Sequence, residues 1–181
     1  MRILREETIA VIIDIQEKFS PVIFEFEKLV QNCLKLIQGL QILEIPILIT
    51  EQYPKGLGKT ISPIAEVLKE NYKPIEKISF SAADDKSFSK ELKKSKRKNI
   101  ILFGIEAHVC VLQTAIDLLD KKYNVIVIED CISARRSHDK ETALRRMERE
   151  GAMVSGLESV LFELCRVSGS EEFKAISKLV K

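Results

Sequence analysis

The chain has 181 residues, 45% of them hydrophobic and 31% charged, with a formal net charge of +2. That size and balance suit one domain with a single core, and the near-neutral charge gives no reason to expect nucleic acid or an acidic membrane surface as a partner. No apolar run approaches the roughly 20 residues that span a bilayer, and Met1-Arg2-Ile3-Leu4-Arg5-Glu6-Glu7 does not read as a secretory leader, so a cytoplasmic, reducing setting is expected.

Short runs rich in β-branched residues alternate with longer stretches of helical spacing. Thr8–Ile13 is the first predicted strand, and Asp14 follows it directly. Leu29, Cys33, Leu36, Ile37, Leu40 and Leu43 then recur every three or four residues and predict a helix. Pro46–Thr50 predicts the second strand, and Pro74–Lys77 a short third strand closed by Lys77. The basic run Lys93–Lys98 reads as a solvated connection. Asn99–Phe103 is the fourth predicted strand, and the helix over Val109–Leu119 carries Cys110 in its first turn. A fifth strand over Asn124–Ile128, a helix over Asp139–Glu150, a weak strand near Gly151–Val154 and a helix from Glu171 to the end complete the pattern.

Strands that are apolar throughout are buried on both faces, and their alternation with helices implies a parallel sheet. The expected fold is therefore a doubly wound, Rossmann-like α/β domain: about six parallel strands, order 3-2-1-4-5-6, with right-handed crossovers and no internal repeat or linker. In such a sheet the functional site lies beyond the carboxyl ends of the strands. A dinucleotide site would need a glycine-rich turn after the first strand, where this chain has Asp14-Ile15-Gln16-Glu17-Lys18.

Taken singly, Asp14 reads as a turn aspartate, Lys77 as a surface lysine and Cys110 as a core thiol. The other cysteines, Cys33, Cys131 and Cys165, are widely spaced and form no CxxC pair, so neither a disulfide framework nor a thiolate zinc site is indicated. Together, three strand ends supplying a carboxylate, an ammonium and a thiol describe a nucleophile with its base. The carboxylate takes the thiol proton, the lysine holds the carboxylate ionised, and the start of a helix favours the thiolate. Backbone N–H groups of the strand-to-helix turn can stabilise an oxyanion. The chemistry that uses all these parts is acyl transfer to sulfur followed by hydrolysis.

Three motifs carry a resemblance: Ile12-Ile13-Asp14-Ile15-Gln16 with Phe19; Glu76-Lys77-Ile78-Ser79-Phe80-Ser81; and Gly104-Ile105-Glu106-Ala107-His108-Val109-Cys110-Val111. With them the chain resembles the isochorismatase-like cysteine hydrolases from about Thr8 to the C-terminal helix. Thr50-Glu51-Gln52-Tyr53-Pro54-Lys55-Gly56-Leu57-Gly58 adds a likeness to the isochorismatase domain-containing branch. The resemblance implies Asp14 as general base, Lys77 as the link between base and substrate, and Cys110 as nucleophile. It implies an oxyanion hole from the backbone N–H groups of Glu106 and Cys110, and a cis peptide between Ile105 and Glu106. Gln16, Phe19, Tyr53, Phe80 and His108 lie in or beside the matched segments and are placed to line the pocket, His108 as a wall or as packing at the helix start and not as a base.

The implied substrate is a small amide, carbamoyl or ester-like molecule, with no cofactor and with assembly as a homo-oligomer. Nicotinamidases of this superfamily bind metal through an aspartate and histidines after the second strand. Here Thr50–Lys55 contains no histidine, and the chain has only His108 and His138, so no metal is expected. The alternative reading is a catalytically weak regulatory or interaction protein that keeps the hydrolase fold.

Overall fold

The direction in which each crossover travels decides which face of the sheet its helix covers. A computed structural model of the chain describes residues 2–181 and contains six strands: β1 (Thr8–Ile13), β2 (Ile47–Gln52), β3 (Ile75–Lys77), β4 (Asn99–Gly104), β5 (Asn124–Ile132) and β6 (Met153–Ser155). All pair in parallel, in the order β3-β2-β1-β4-β5-β6. The helices are α1 (Phe26–Ile42), α2 (Pro54–Leu57), α3 (Ser62–Leu68), α4 (Lys86–Ser95), α5 (Leu112–Asp120), α6 (Ser137–Arg149), α7 (Leu157–Cys165) and α8 (Glu171–Val180). From β1 the chain moves outward through α1 and α3 to β2 and β3, then returns across the sheet to β4 and continues outward through α5 and α6. With one handedness, opposite directions of travel put the two helix sets on opposite faces. Thus α1 packs with α3, α7 and α8, while α5 packs with α6. The fold expected from the sequence, strand order included, is the fold observed.

Every residue of β1 and β4 is buried, as continuously apolar central strands require. Helix α1 buries Leu29, Cys33, Leu36, Ile37 and Leu40, the periodic stripe read from the sequence. Gly39 on this helix admits Leu161 of α7, whose methyl groups would lie 2.6 Å from any Cβ placed there.

The structure corrects some boundaries. Lys93, Lys94 and Ser95 complete the last turn of α4, where lysines oppose the negative end of the helix dipole, so only the rest of the basic run is connection. β5 runs on to Ile132, past the polar Glu129-Asp130 that ends its apolar run. There Asp130 is used on both sides: its Oδ1 accepts from the N–H of Leu157 at the start of α7 (2.9 Å), and its carbonyl accepts from Asn32 on α1 (2.8 Å). Helix α7 itself, which the sequence reading leaves out, buries Leu157, Val160, Leu161 and Leu164, a helical stripe.

β4 ends in Gly104, at φ +124°, and a Cβ there would come within 2.1 Å of the Ile13 carbonyl oxygen. Only glycine lets β4 leave the sheet this close to β1. The Ile13 carbonyl accepts the next N–H, that of Ile105, at 2.8 Å. The Ile105–Glu106 peptide is cis.

Candidate active site

The strand order reverses between β1 and β4, and the crevice above that pair is where a doubly wound sheet places its ligand. Asp14 leaves β1 there in the left-handed region, at φ 52°, a conformation that aspartate tolerates better than most residues. Cys110 arrives from the other side. It lies not in an ordinary first helical turn but in a wide π-turn, Ala107–Val111, closed by Val111 N–H donating to the Glu106 carbonyl at 3.2 Å. Such turns re-aim a side chain while the helix continues, here into α5.

Lys77, at the end of β3, completes the group. Its Nζ donates to Asp14 Oδ2 at 2.7 Å, and both side chains are fully buried. The ammonium also reaches Gln52 Oε1 at 2.7 Å and the carbonyls of Ser79 and Phe80 at 3.1 Å each. A buried ammonium is tolerable only when its donors are met, and these four acceptors meet them. Thr50 Oγ1 donates to the other carboxylate oxygen, Asp14 Oδ1, at 2.7 Å. The carboxylate is therefore fixed from two directions, and the Cys110 thiol, on a residue only 3% exposed, lies close enough for the two groups to shift each other's pKa. The structure brings Asp14, Lys77 and Cys110 together.

Burial raises the Asp14 carboxyl above the ordinary carboxylate range, opposed by the charge and hydrogen bond of Lys77 and by the hydrogen bonds of Thr50 and Cys110. A carboxylate raised in this way is a stronger base. The Cys110 thiol is pushed up to about 12, first by burial and then by the Asp14 charge, with Lys77 pulling the other way. This corrects the helix-start argument: burial and the facing carboxylate outweigh the turn's dipole. The resting sulfur is a thiol.

Glu106 is anchored from two sides. Its carbonyl accepts from Val109 and Val111, and its carboxylate takes Arg135 Nε at 2.7 Å. Ala107 N–H donates to Ser133 at 2.7 Å, which ties the turn to the end of β5. The Glu106 N–H has no acceptor among the described residues.

The five pocket candidates divide. Gln16 is completely buried and fully engaged: Nε2 donates to the carbonyls of Gln52 (3.0 Å) and Gly58 (2.6 Å), while Oε1 accepts from Gln52 N–H at 2.7 Å. It clamps the loop after β1 to the end of β2, so its side chain has nothing left to offer a substrate. Phe19, 6% exposed, belongs to the core. Tyr53 and Phe80 are exposed. His108 stands on the π-turn, half-buried, with its Nδ1 buried and unpartnered. It lines a cavity of about 450 Å³ with Glu106, Val109, Arg135, Arg136 and Asp139. The sequence reading missed Thr50 and Gln52, which hold the Asp14 carboxylate and the Lys77 ammonium. Both lie in the β2 segment Thr50-Glu51-Gln52, and both are buried polar residues at a strand's carboxyl end. Among the described residues, no three His, Cys, Asp or Glu side chains converge to hold a metal ion, and no helix is long and apolar enough to cross a membrane.

A six-stranded doubly wound sheet with a thiol, a carboxylate and an ammonium buried at its switch point defines the isochorismatase-like architecture. The chain belongs to the isochorismatase family: the isochorismatase domain matches residues 8–159. Isochorismatase domain-containing protein 2A of Mus musculus is 38% identical over 181 residues, 99% of this chain and 85% of the mouse protein. The secreted isochorismatase effector Isc1 of Phytophthora sojae is 34% identical over 183 residues, 99% of this chain and 87% of its own length. Among solved structures, one described as the MAR1 ribonuclease of Caenorhabditis elegans superimposes with a TM-score of 0.93 at 39% identity, covering 99% of this chain and 92% of that one.

Proposed function

We propose that this protein is a metal-independent cysteine hydrolase of a small amide, carbamoyl or ester-like substrate. The observation that carries the proposal is the buried 2.7 Å Lys77–Asp14 pair facing the Cys110 thiol. In the first step the Cys110 sulfur attacks the substrate carbonyl carbon while Asp14 accepts the thiol proton, because the thiol cannot ionise beforehand near neutrality. The C–S bond forms, and the carbonyl oxygen takes the electron pair, stabilised by the N–H groups of Glu106 and Cys110. Asp14 passes its proton to the leaving nitrogen or oxygen as that bond breaks, leaving a thioester. Water, deprotonated by Asp14, then attacks the thioester and releases the acid and the thiol. Lys77 keeps Asp14 aimed throughout. Arg135 keeps Glu106 in place.

The test is a turnover screen of small amides, carbamoyl compounds and esters, run with and without a strong chelator. The expected result is turnover that the chelator leaves unchanged, with an acyl adduct trapped on Cys110. RNA, the substrate implied by the description of the Caenorhabditis elegans structure, belongs in the same screen. RNA cleavage that persists in Cys110→Ala would overturn the cysteine mechanism. A regulatory protein that keeps the fold is the second reading, favoured by the 3% exposure of Cys110. It is supported if Cys110 labels with an electrophile while no substrate turns over. The proposal includes a homo-oligomer, because Ile78 and Phe80, beside the site-forming Lys77, present exposed apolar surface.

The raised Asp14 carboxyl sets the expected pH dependence. Asp14 acts only when ionised, so kcat/KM should fall as pH drops through its elevated pKa, on a limb above the ordinary carboxylate range. Thr50→Val removes a hydrogen bond that favours the ionised form and should move this limb to higher pH by about one unit. A limb that stays in place would show that Thr50 does not tune the base.

A further inference from the structure

The formal net charge of +2 averages over an uneven surface. Of the thirteen residues from Lys86 to Lys98, along α4 and into its connection to β4, seven are lysine or arginine and one, Glu91, is acidic. All six of the lysines are exposed. Part of this charge serves the fold. Lys93 and Lys94 oppose the negative end of the helix dipole, Lys94 stands 3.7 Å from Glu91, and Arg97 donates to the Arg5 carbonyl at 3.0 Å. Lys86 and Lys90 have no such role. Lys86 opens α4, the end at which the dipole disfavours a cation, and among the described residues neither lysine forms an ion pair.

Lys86, Lys90 and Lys93 follow one another at steps of four and three residues, so they form a stripe along one side of α4, about 10 Å long. Phe88 and Leu92 are buried on the other side. The stripe borders a cavity of about 300 Å³ between α4 and the end of α5, lined by Ser89, Leu92, Lys93, Leu118, Lys121 and Tyr123. Lys121 Nζ donates to the Ala83 carbonyl at 3.1 Å, and Ser89 Oγ donates to the same carbonyl at 2.9 Å. That shared acceptor fixes the ammonium beside Ser89 and leaves two of its three donors free. Tyr123 gives the cavity a half-buried aromatic wall. Among the described residues, no exposed large hydrophobic side chain belongs to α4, to its connection to β4 or to α5.

We infer that this face binds single-stranded nucleic acid, with Lys86, Lys90, Lys93 and Lys121 on its phosphates and the cavity beside Tyr123 receiving an unstacked base. A groove of cations that tracks the backbone, joined to an aromatic on which a base stacks, is how single strands are held without reading sequence. The other polyanionic or protein partners fit less well. A helix that lies in a membrane surface sets apolar side chains beside its cations, and a protein interface gathers aromatic residues while depleting lysine. This face has the lysines and lacks the exposed apolar side chains. The inference is independent of the hydrolase reading. α4 and α5 end where β4 and β5 begin, at the edge of the sheet opposite the strand ends that carry Asp14 and Lys77.

The test is fluorescence anisotropy with end-labelled RNA and DNA single strands of one sequence, about 12 nucleotides long, titrated at several salt concentrations. Four phosphate contacts should make log K fall against log salt with a slope of about −3. The triple variant Lys86→Met, Lys93→Met, Lys121→Met should bind at least about tenfold more weakly, with a slope shallower by about 2. The triple variant Lys28→Met, Lys174→Met, Lys178→Met removes the same charge from other exposed positions and should bind as the wild type does. Tm is measured for each protein. If the first triple variant does not fold, its three single variants carry the test, each making the slope shallower by about 0.7. Equal binding of RNA and DNA supports recognition of phosphate, and a preference for one supports the surface and names its source. No binding by the wild type at about 50 mM salt overturns the inference, as does an equal loss in the two triple variants. Binding to phosphatidylserine vesicles but to neither oligonucleotide overturns it in favour of a membrane surface.

Discussion

Cys110→Ala is expected to lower kcat/KM by at least about four orders of magnitude, the loss that follows when a covalent mechanism is deprived of its nucleophile. The fold should survive. Cys110 contributes a small side chain to the core, and its truncation to alanine removes only the sulfur. Asp14→Asn should produce a loss of similar size for a different reason, because the amide cannot accept the thiol proton and the thiol stands at about 12. The double variant should be little worse than either single one, since residues that act as one unit are strongly non-additive. Kinetics on the two single variants and the double, with Tm measured alongside, check this. A Cys110→Ala protein that retains a tenth of wild-type turnover would remove Cys110 from the mechanism.

Lys77→Met should produce the largest loss of stability of any single lysine change, about 3–5 kcal/mol. The Asp14–Lys77 pair is completely buried, so removing the ammonium leaves a carboxylate without its counter-charge and Gln52, Ser79 and Phe80 without their donor. For a chain of this length that corresponds to a fall in Tm of roughly 6–20 °C. Lys93→Met, on the exposed last turn of α4, is the control and should stay within about 0.5 kcal/mol of wild type. Replacing both partners, as Asp14→Leu with Lys77→Met, should recover much of the stability while leaving no activity, because the unfavourable element is a lone buried charge and not the loss of the pair. Thermal melts of the four proteins decide it. A single Lys77→Met variant as stable as the wild type would show that the ammonium is not held as described.

The parts of this molecule legible in its sequence are those governed by short-range patterning. β1 and β4 could be read because their residues are buried on both faces and hence apolar without interruption. Asp14 and Lys77 were placed by standing at the ends of such runs, and Cys110 by the turn after the fourth. What stayed hidden depends on partners far along the chain. Gln16 looks free in the sequence, yet its three hydrogen bonds go to Gln52 and Gly58. Asp130 interrupts an apolar run and so seemed to end β5, whereas it serves α1 and α7 from inside the strand. The π-turn could not be anticipated, since it differs from an α-helical turn by a single hydrogen-bond register. The state of the Cys110 thiol was misjudged for a related reason: a helix start is visible in sequence, but the degree of burial that outweighs it is not.

The pairing of β1 with β4 has a consequence for how the protein is made. Thr8 stands beside Asn99 in the sheet, so the two central strands are joined across about 90 residues of intervening chain. Contacts of such long sequence separation form late, because the loop between them must be closed first. On the ribosome, β1, β2 and β3 are synthesised before any residue of β4 exists, and a domain folds as a unit once its parts are available. The Asp14–Lys77 pair belongs to that early half, while Cys110 follows β4 in the late half. A nascent or truncated chain that stops before β4 therefore carries Asp14 and Lys77 but lacks both the central partner of β1 and Cys110. The thiol meets its carboxylate only when the sheet closes at its centre, so the reactive centre and the completed fold arrive together.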